Sequence, residues 1–163
     1  MSFYEGEEEG GIRGIMSSPP PQGDYAWGSA GLFWAGMIDY RSQTGDDSYD
    51  DVILRGIQFQ AGSKNDFMSA NWTASMGNDD QAFWALAAVR AASSEFQDPV
   101  GEQPRWEFLA QNVFAQQSEG LRRVKSGSCE GAMRWQIFSA NDGYDYVSCK
   151  LPPLSHPAMS FRQ

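Results

Sequence analysis

Apolar residues recur along this chain at intervals of three and four, and this spacing constrains the fold more than any other feature. Its first stretch comprises Trp27, Ala30, Gly31, Trp34, Met37 and Ile38. Because an α-helix has ~3.6 residues per turn, residues spaced in this way share one face, which we expect to be buried. Almost no segment alternates with a period of two. The sequence therefore predicts an all-α fold.

Three further stretches repeat the spacing after the break TGDDS at residues 44–48. The second predicted helix, with Asp46 or Asp47 as its N-cap, carries Tyr49, Val52, Ile53, Gly56 and Ile57. The third follows Asn78 and carries Phe83, Leu86, Ala87 and Ala91. The fourth follows Pro104 and carries Trp106, Leu109, Ala110, Val113 and Phe114. We expect two antiparallel helical hairpins, the first over residues 27–60.

A long connection, residues 61–77, joins the two hairpins, and a second irregular stretch covers residues 118–132. Long loops within a compact domain tend to carry function. The first of them leads directly into Asn78, Asp79 and Asp80 at the start of the third predicted helix. The two acids are therefore expected at the edge of a cleft lined by loops.

Two adjacent acids at a helix start have two interpretations. Acids in a first turn complement the helix dipole and cap exposed amides, which is a purely structural role. Neighbouring side chains on a helix also point ~100° apart, so two carboxyl groups can lie about 5 Å from each other, as a retaining glycosidase requires. One acid would then stay ionised and the other would hold a proton, with Phe83 and Trp84 as apolar cover. The pattern alone leaves both interpretations open.

Charge and aromatic content narrow the classes of partner. A net charge of −9 argues against nucleic acids and acidic membranes, which bind clustered Lys and Arg. The only basic cluster, Arg122, Arg123 and Lys125, is predicted to be a solvated loop. Six tryptophans and six tyrosines exceed the needs of a small helical core, and aromatic faces can stack on sugars. Core packing is the alternative for each ring, and the loop candidates for stacking are Trp135, Tyr144 and Tyr146.

The cysteines and the start of the chain say less. Cys129 and Cys149 allow one disulfide without establishing it, and their spacing has no metal-ligand pattern. No apolar run approaches the ~20 residues of a membrane span, and MSFYEGEEEGGIRG lacks the basic and hydrophobic parts of a signal peptide. These features by themselves predict a cytosolic chain. Asn71-Trp72-Thr73 is a glycosylation sequon, which would matter only in a secreted protein.

Several blocks of sequence, taken in order, resemble the family 76 glycoside hydrolases, specifically their fungal cell-wall branch of α-1,6-mannanase-like proteins. The blocks are MIDYRSQTGDDSYDDVILRGIQFQAG, GNDDQAFWALAA, EQPRWEFLAQNVFAQQ and GAMRWQIFSANDGYDY. The resemblance extends from about Tyr25 to Tyr146. It implies an (α/α)6 toroid, of which this chain would supply the first third to half, so the expected fold is an incomplete toroid.

The resemblance also implies a chemistry. Asp79 would be the nucleophile and Asp80 the general acid/base of a retaining hydrolase or transglycosidase that acts on α-1,6-linked mannan. Substrate-binding residues would include Asn78, Trp84, Trp135 and Tyr144. No metal or organic cofactor is implied, and family members are secreted, often with a lipid anchor at the cell surface. The alternative is a non-catalytic fragment with at most weak carbohydrate binding.

The chain departs from the family pattern in two places. Gly28-Ser29 stands where family members carry Trp-Glu, and Cys129-Glu130-Gly131-Ala132 stands where they carry a glycine-rich segment. Both departures are expected near the cleft. A side chain in place of glycine restricts the approach of backbone, and a missing carboxylate removes an acceptor for sugar hydroxyls.

The chain ends also carry expectations. FYEGEEEGG at residues 3–11 resembles material inside the first family helix. Residues 1–146 are interpreted as the N-terminal portion of the glycosidase domain and residues 147–163 as a tail foreign to the family. That tail has the character of translated intron, because Val147-Ser148 is what an in-frame splice donor would encode. Half a ring should be poorly folded and inactive alone, with large side chains exposed at Trp34, Met37, Ile38, Val113 and Phe114.

Overall fold

The structure, a computed structural model, describes residues 4–16, 25–68 and 76–147, apart from the side chains of Tyr25 and Ala26. These ranges contain four α-helices and no strand. The helices are α1 (Tyr25–Thr44), α2 (Asp50–Gln60), α3 (Asn78–Ser93) and α4 (Trp106–Ser118), and a 3₁₀ turn follows at Gly120–Arg122. The all-α prediction is confirmed for the described part of the chain.

Two helix starts illustrate how local sequence acts. α3 begins at Asn78, as predicted, and both acids lie in its first turn. α2 begins after Tyr49, whose side chain makes no capping hydrogen bond, so the predicted cap at Asp46 or Asp47 is wrong. Oδ1 of Asp46 instead accepts from the amide of Ser48 at 3.0 Å. The local turn preceding the helix uses this oxygen, as Asp commonly does in turns.

Helix α3 is the centre of the packing. α1 makes most of its helix contacts with α3, and α4 also packs on α3, whereas α1 and α2 touch less. Gly31 of α1 explains the close approach, because a Cβ there would lie 2.8 Å from the backbone nitrogen of Trp84. The strongest contact therefore joins the first helices of the two predicted hairpins. It brings the start of α3 against α1.

Four of the six tryptophans form the core. Trp27, Trp34, Trp84 and Trp106 are all buried, with at most 1% of their surface exposed. Their indole N–H groups donate to Oε1 of Gln60 and to the carbonyls of Gly14, Trp27 and Gln97, over 2.8 to 3.0 Å. Burial of a large indole is favourable once its one donor is satisfied. These rings hold the helices together.

The segment before α1 covers the core and corrects an expectation. Residues 4–16 form turns, so the helix expected near FYEGEEEGG is absent from the described residues there. Tyr4 packs edge-on against Trp34 with ring centroids 5.2 Å apart. Because this segment and α3 cover α1, Trp34 and Ile38 are fully buried, contrary to the predicted exposure.

The opposite end of the predicted half-ring is also mostly covered. Val113 of α4 is buried, so the predicted exposure is wrong for this residue. Met37, in the stripe of α1, is half-buried. Phe114, 76% exposed, is the member of the predicted set that the structure does leave open. The described helices therefore bury more of their apolar stripes than a simple half-ring would.

Some expectations fall on other residues. The sequon and the tail after Val147 lie outside the described residues, so the tail interpretation stays a prediction. Cys129 is disulfide-bonded, and the only other cysteine in the sequence is Cys149, which lies outside the described residues. No described helix is both long and apolar enough to cross a membrane.

Candidate active site

The start of α3 meets the irregular segment 133–147, and the site lies at this junction. The amide of Asn78 donates to the carbonyl of Trp135 at 2.8 Å, and Gly77 forms an antiparallel bridge with Gln136. The carbonyl of Met76 accepts from the amide of Ile137. These main-chain bonds fix Trp135 beside the two acids, although 57 residues separate it from Asn78.

Asp79 is exposed and is held by two N–H donors. Its Oδ2 accepts from Nε1 of Trp135 at 3.1 Å, and its Oδ1 accepts from the amide of Asp80 at 3.1 Å. Both bonds orient the carboxylate. An oriented and accessible carboxylate is what a nucleophile at a sugar carbon requires.

Asp80 is half-buried between its own helix start and α1. Its Oδ2 accepts from the amide of Gly77 at 2.9 Å, which is the half of a capping box that an acid three residues into the helix supplies, since Gly77 has no side chain for the other half. On the other side, a Cβ added at Gly28 would overlap Oδ1 of Asp80. The structural interpretation is thus realised for Asp80, which caps the helix. Capping also holds its carboxyl group in a fixed place beside Asp79.

Asn78 connects the start of α3 to the segments around the site. Its side chain donates from Nδ2 to the carbonyl of Arg134 at 2.9 Å and accepts at Oδ1 from Nη1 of Arg122 at 2.6 Å. Its carbonyl accepts from Nε2 of Gln117 at 2.7 Å. With 2% of its surface exposed and these groups bonded to protein, Asn78 orients its neighbours. It also lines the cavity beside Asp79, so its predicted role in binding substrate stays a prediction.

Trp84 does not lie where its predicted contact with substrate requires. The side chain is fully buried, and it stacks on Phe67 with centroids 5.8 Å apart. A ring without exposed surface cannot stack on a sugar. Trp84 lies four residues after Asp80, and the face it occupies turns toward α1, where its indole bonds to Trp27. It belongs to the core, and the predicted sugar contact is wrong.

A cavity of about 340 Å³ opens beside Asp79. One wall is aromatic, because Trp135 and Tyr146 stack with ring centroids 6.0 Å apart and planes at 8°. Trp135 keeps 40% of its surface exposed and Tyr146 keeps 64%. The lining residues are Asn78, Asp79, Ala82, Gln117, Met133, Arg134, Trp135, Tyr146 and Val147. Flat aromatic faces near polar groups suit a sugar ring.

Of the aromatic loop residues predicted to bind substrate, the structure places Trp135 at the cavity and Tyr144 away from it. Trp135 lies at the cavity and touches Asp79. Tyr144 is outside the lining, and the guanidinium carbon of Arg134 lies 4.5 Å from its ring centroid. That cation covers a face of Tyr144. Tyr146, two residues later, lines the cavity instead.

The basic cluster is another correction. Arg122 and Arg123 are half-buried, and only Lys125 is exposed. Arg123 donates to the carbonyls of Gln117 at 3.1 Å and Gly131 at 2.9 Å. Burial lowers the pKa of Arg122, an effect that the charges of the nearby carboxylates of Glu119 and Asp66 partly oppose. The predicted solvated loop therefore holds for Lys125 alone.

Sequence reasoning missed Arg122, Gln117, Arg134 and Met133 as parts of the site. All four lie in stretches singled out for other reasons: Arg122 in the basic cluster, and the other three in the blocks that carry the family resemblance. A second cavity, of about 450 Å³, lies on the side of Arg122 lined by Lys64, Asp66, Gln116 and Phe138. In the part of the chain that the structure describes, no group of three or more His, Cys, Asp or Glu side chains could hold a metal ion.

Comparison with known proteins gives consistent relatives. The family described as Glycosyl hydrolase family 76 matches residues 1–149. Mannan endo-1,6-α-mannosidase DCW1 of Saccharomyces cerevisiae is 41% identical over 146 residues, which are 90% of this chain and 31% of that protein. The protein of the same name from Candida glabrata is 39% identical over 146 residues, with the same coverage. The chain spans about 31% of the length of these curated relatives.

A solved structure is also similar. The crystal structure of Dfg5 from Chaetomium thermophilum in complex with glucosamine matches with a TM-score of 0.81 and 42% identity. The match covers 88% of this chain and 35% of that chain. The four described helices thus correspond to part of a larger protein, and the likeness extends to sequence as well as fold.

Proposed function

The chain belongs to glycosyl hydrolase family 76, and we propose that its site at the start of α3 cleaves or transfers α-1,6-linked mannan with retention of configuration. One observation carries the proposal. Asp79 is exposed beside a cavity with a stacked aromatic wall, and Nε1 of Trp135 donates to its carboxylate. The names of the relatives, mannan endo-1,6-α-mannosidases, supply the substrate class.

In the proposed mechanism the two acids divide the work. The carboxylate of Asp79 attacks the anomeric carbon while Asp80 donates a proton to the glycosidic oxygen, so the glycosidic bond breaks as an ester to the sugar forms. Asp80, now ionised, then takes a proton from water or from a sugar hydroxyl. That oxygen displaces Asp79 and completes hydrolysis or transfer. Two inversions at one carbon restore the starting configuration.

The surroundings suit these roles. The two donors on Asp79 hold its carboxylate in one orientation, and the bond from the amide of Gly77 restrains Asp80 in the first turn of α3. Trp135 and Tyr146 offer a platform for a mannose ring next to the attacking oxygen. Holding reactants at the attacking group is itself worth several kcal/mol of barrier, on the order of 7 to 11 in favourable cases.

We extend the proposal to the fold and its location. The four helices would form part of an (α/α)6 toroid, and the likeness to the Chaetomium thermophilum protein supports this arrangement. In such a ring the inner helices neighbour each other, which agrees with the dominance of contacts between α1 and α3. The proposed substrate is a cell-wall polymer, so the proposed site of action is the cell surface.

A non-catalytic role is the second candidate, and a specific observation favours it. Asp80 serves as a capping residue, which is a sufficient reason for an acid at this position. The chain also spans about 31% of the length of its curated relatives. A polypeptide of this kind could bind a mannose-bearing glycan weakly through Trp135 without turning it over.

Substitution of the acids separates the two candidates. Asp79→Asn and Asp80→Asn are each expected to lower cleavage of α-1,6-mannan by at least ~10² to 10⁴-fold, because each removes a group that reacts. Both should leave helical content nearly unchanged, since Asn also caps helices. Asp51→Asn is the matched control, because Asp51 lies in the first turn of α2, away from the cavity.

The assay uses two forms of the protein. One is the 163-residue chain, and the other is a chimera in which residues 1–146 replace the matching segment of the Saccharomyces cerevisiae relative. Turnover in either form that depends on both acids supports the enzyme. Turnover in the chimera alone assigns a competent site that needs the rest of the ring. Folded proteins that bind mannan without turnover in both forms would establish the non-catalytic role.

A further inference from the structure

Arg122 ends the 3₁₀ turn after α4, and its guanidinium is half-buried between α4 and the start of α3. Nη1 donates to Oδ1 of Asn78 at 2.6 Å, and Nη2 donates to Oε1 of Gln116 at 3.3 Å. None of the ion pairs formed among the described residues involves Arg122. A cation that bonds amides has the desolvation cost of burial without a direct ion pair in return. Its placement therefore needs another reason.

Asn78 links Arg122 to the acidic pair. The oxygen of its side chain takes the Arg122 bond, the nitrogen of the same amide holds the carbonyl of Arg134, and its backbone amide holds the carbonyl of Trp135. The carbonyl of Arg122 also accepts from the amide of Arg134 at 3.0 Å. Arg122 thus holds the segment 134–135 both directly and through Asn78.

The second donor of the guanidinium, Nη2, bonds Arg122 to α4. Gln116 accepts from Nη2 of Arg122 and donates from Nε2 to the carboxylate of Asp66. Asp66 is 2% exposed, and its other oxygen accepts from the amide of Met68 at 3.1 Å. The guanidinium is therefore held between the hydrogen-bonded pair of Gln116 and Asp66 on one side and the residue that precedes Asp79 on the other.

We propose that Arg122 is a positioning residue, which holds Trp135 through Asn78 so that the indole N–H stays on Asp79. This inference deepens the proposed function. Only the expected effect of Arg122 on turnover rests on that function, and the placement of the indole does not. Arginine suits the task because a planar fork can serve two acceptors in fixed directions. Lysine keeps the charge but presents it on a flexible stem, so Arg122→Lys tests the geometry at constant charge.

The first test reads the indole of Trp135 directly and needs no activity. In the ¹⁵N-labelled 163-residue chain, the resonance of this indole N–H is assigned by its loss in Trp135→Phe. Arg122→Lys should shift the resonance and speed its hydrogen exchange about tenfold, because the bond to Asp79 is populated less. Arg105→Lys is the matched control, because it is the same substitution at an exposed position.

Its outcomes are distinct. An unchanged indole resonance and exchange rate in a folded Arg122→Lys protein would overturn the proposal. If Arg122→Lys loses cooperative unfolding, Arg122→Met replaces it, since a thioether side chain removes both the half-buried charge and the donor to Asn78. A Trp135 resonance that matches the unmodified chain in that variant would be equally fatal.

The second test uses turnover of α-1,6-mannan in whichever of the two forms described above is active. Arg122→Lys should lower kcat/KM about tenfold, because a displaced Trp135 disturbs both the nucleophile that it bonds and the sugar platform of which it is part. In a Trp135→Phe background the same substitution should lower turnover less than about twofold, because the indole contact through which Arg122 acts is already absent. Equal losses of turnover in both backgrounds would show that Arg122 does not act through Trp135 and would overturn the proposal. Absence of turnover in the unmodified forms would contradict the proposed function and leave the resonance to decide the positioning.

Discussion

Gly28 is the residue of α1 against which the carboxyl group of Asp80 rests. A Cβ at this position would overlap Oδ1 of Asp80, although the residue lies in a helix where alanine is ordinarily preferred. Sequence comparison with the family pattern marked Gly28-Ser29 as a departure near the cleft. The structure places Gly28 in contact with one of the two acids, so the departure bears directly on the proposed general acid/base.

Two glycines of α1 make a matched pair. A Cβ at Gly36 would meet nothing within 4 Å, so Gly36→Ala should raise the free energy of unfolding by about 0.5–1 kcal/mol through helix propensity. Gly28→Ala should not give this gain, because Asp80 must rotate away from the new methyl group and from Gly77. Chemical denaturation measures both changes.

The same pair can be followed by activity. In a form that turns over α-1,6-mannan, Gly28→Ala should reduce kcat and Gly36→Ala should not. Equal stabilisation by both substitutions, with turnover intact, would show that the carboxyl group of Asp80 has no fixed place beside α1.

At the scale of elements, the contact between α1 and α3 determines where the site lies. Gly31 permits it, because an added Cβ would lie 2.8 Å from the backbone nitrogen of Trp84 and 3.0 Å from the backbone carbon of Phe83. Backbone cannot rotate aside as a side chain can. Gly31→Ala should therefore destabilise the protein by about 1–3 kcal/mol, the usual cost of overpacking.

Denaturant unfolding of Gly31→Ala beside Gly36→Ala provides the measurement, since the two changes differ only in what surrounds the methyl group. The predicted changes in unfolding free energy have opposite signs. A stabilising Gly31→Ala would mean that α1 and α3 pack less closely than the structure shows.

The sequence predicted the positions of the helices better than it predicted which faces of the helices pack together. Helical spacing located all four helices, and Asn78 with its two acids marked the start of α3, because a periodic face and a helix start are local properties. Trp84 was misassigned, because its role depends on which face of α3 meets α1. A single sequence does not specify that contact.

The irregular segment was the hardest to foresee. Residues 133–147 return to α3 through main-chain bonds such as that from Asn78 to Trp135, and main-chain bonds leave no mark in side-chain spacing. The basic cluster failed for a related reason. Arg122 is half-buried against α4 and against Asn78, which lies 44 residues earlier, and such distant contacts are not visible in the polarity of the local sequence.

At the scale of the whole molecule, some large apolar side chains remain open. Phe59 is 56% exposed, Phe114 76% and Leu121 71%. We predict that the 163-residue chain associates with itself as its concentration rises, because exposed apolar surface favours contact. Phe114→Gln should weaken this association. Val100→Gln is the control, since Val100 is equally open at 79% but lies in the loop before α4.

Sedimentation velocity over a range of concentrations measures the association. A chain that stays monomeric throughout would contradict the prediction, and so would equal effects of the two substitutions. The second result would assign association to general hydrophobicity instead of the surface of α4.

The central claim is that Asp79 forms a covalent bond to the sugar while Asp80 transfers the proton. Mass spectrometry after incubation with an activated, fluorinated α-1,6-mannobiosyl fluoride tests it most directly, because fluorine slows release of a glycosyl-enzyme. The experiment uses the form of the protein that turns over α-1,6-mannan. We predict one added disaccharide on the peptide that contains Asp79, retained in Asp51→Asn and absent in Asp79→Asn. A label on another residue, or none in a protein that cleaves mannan, would contradict the account.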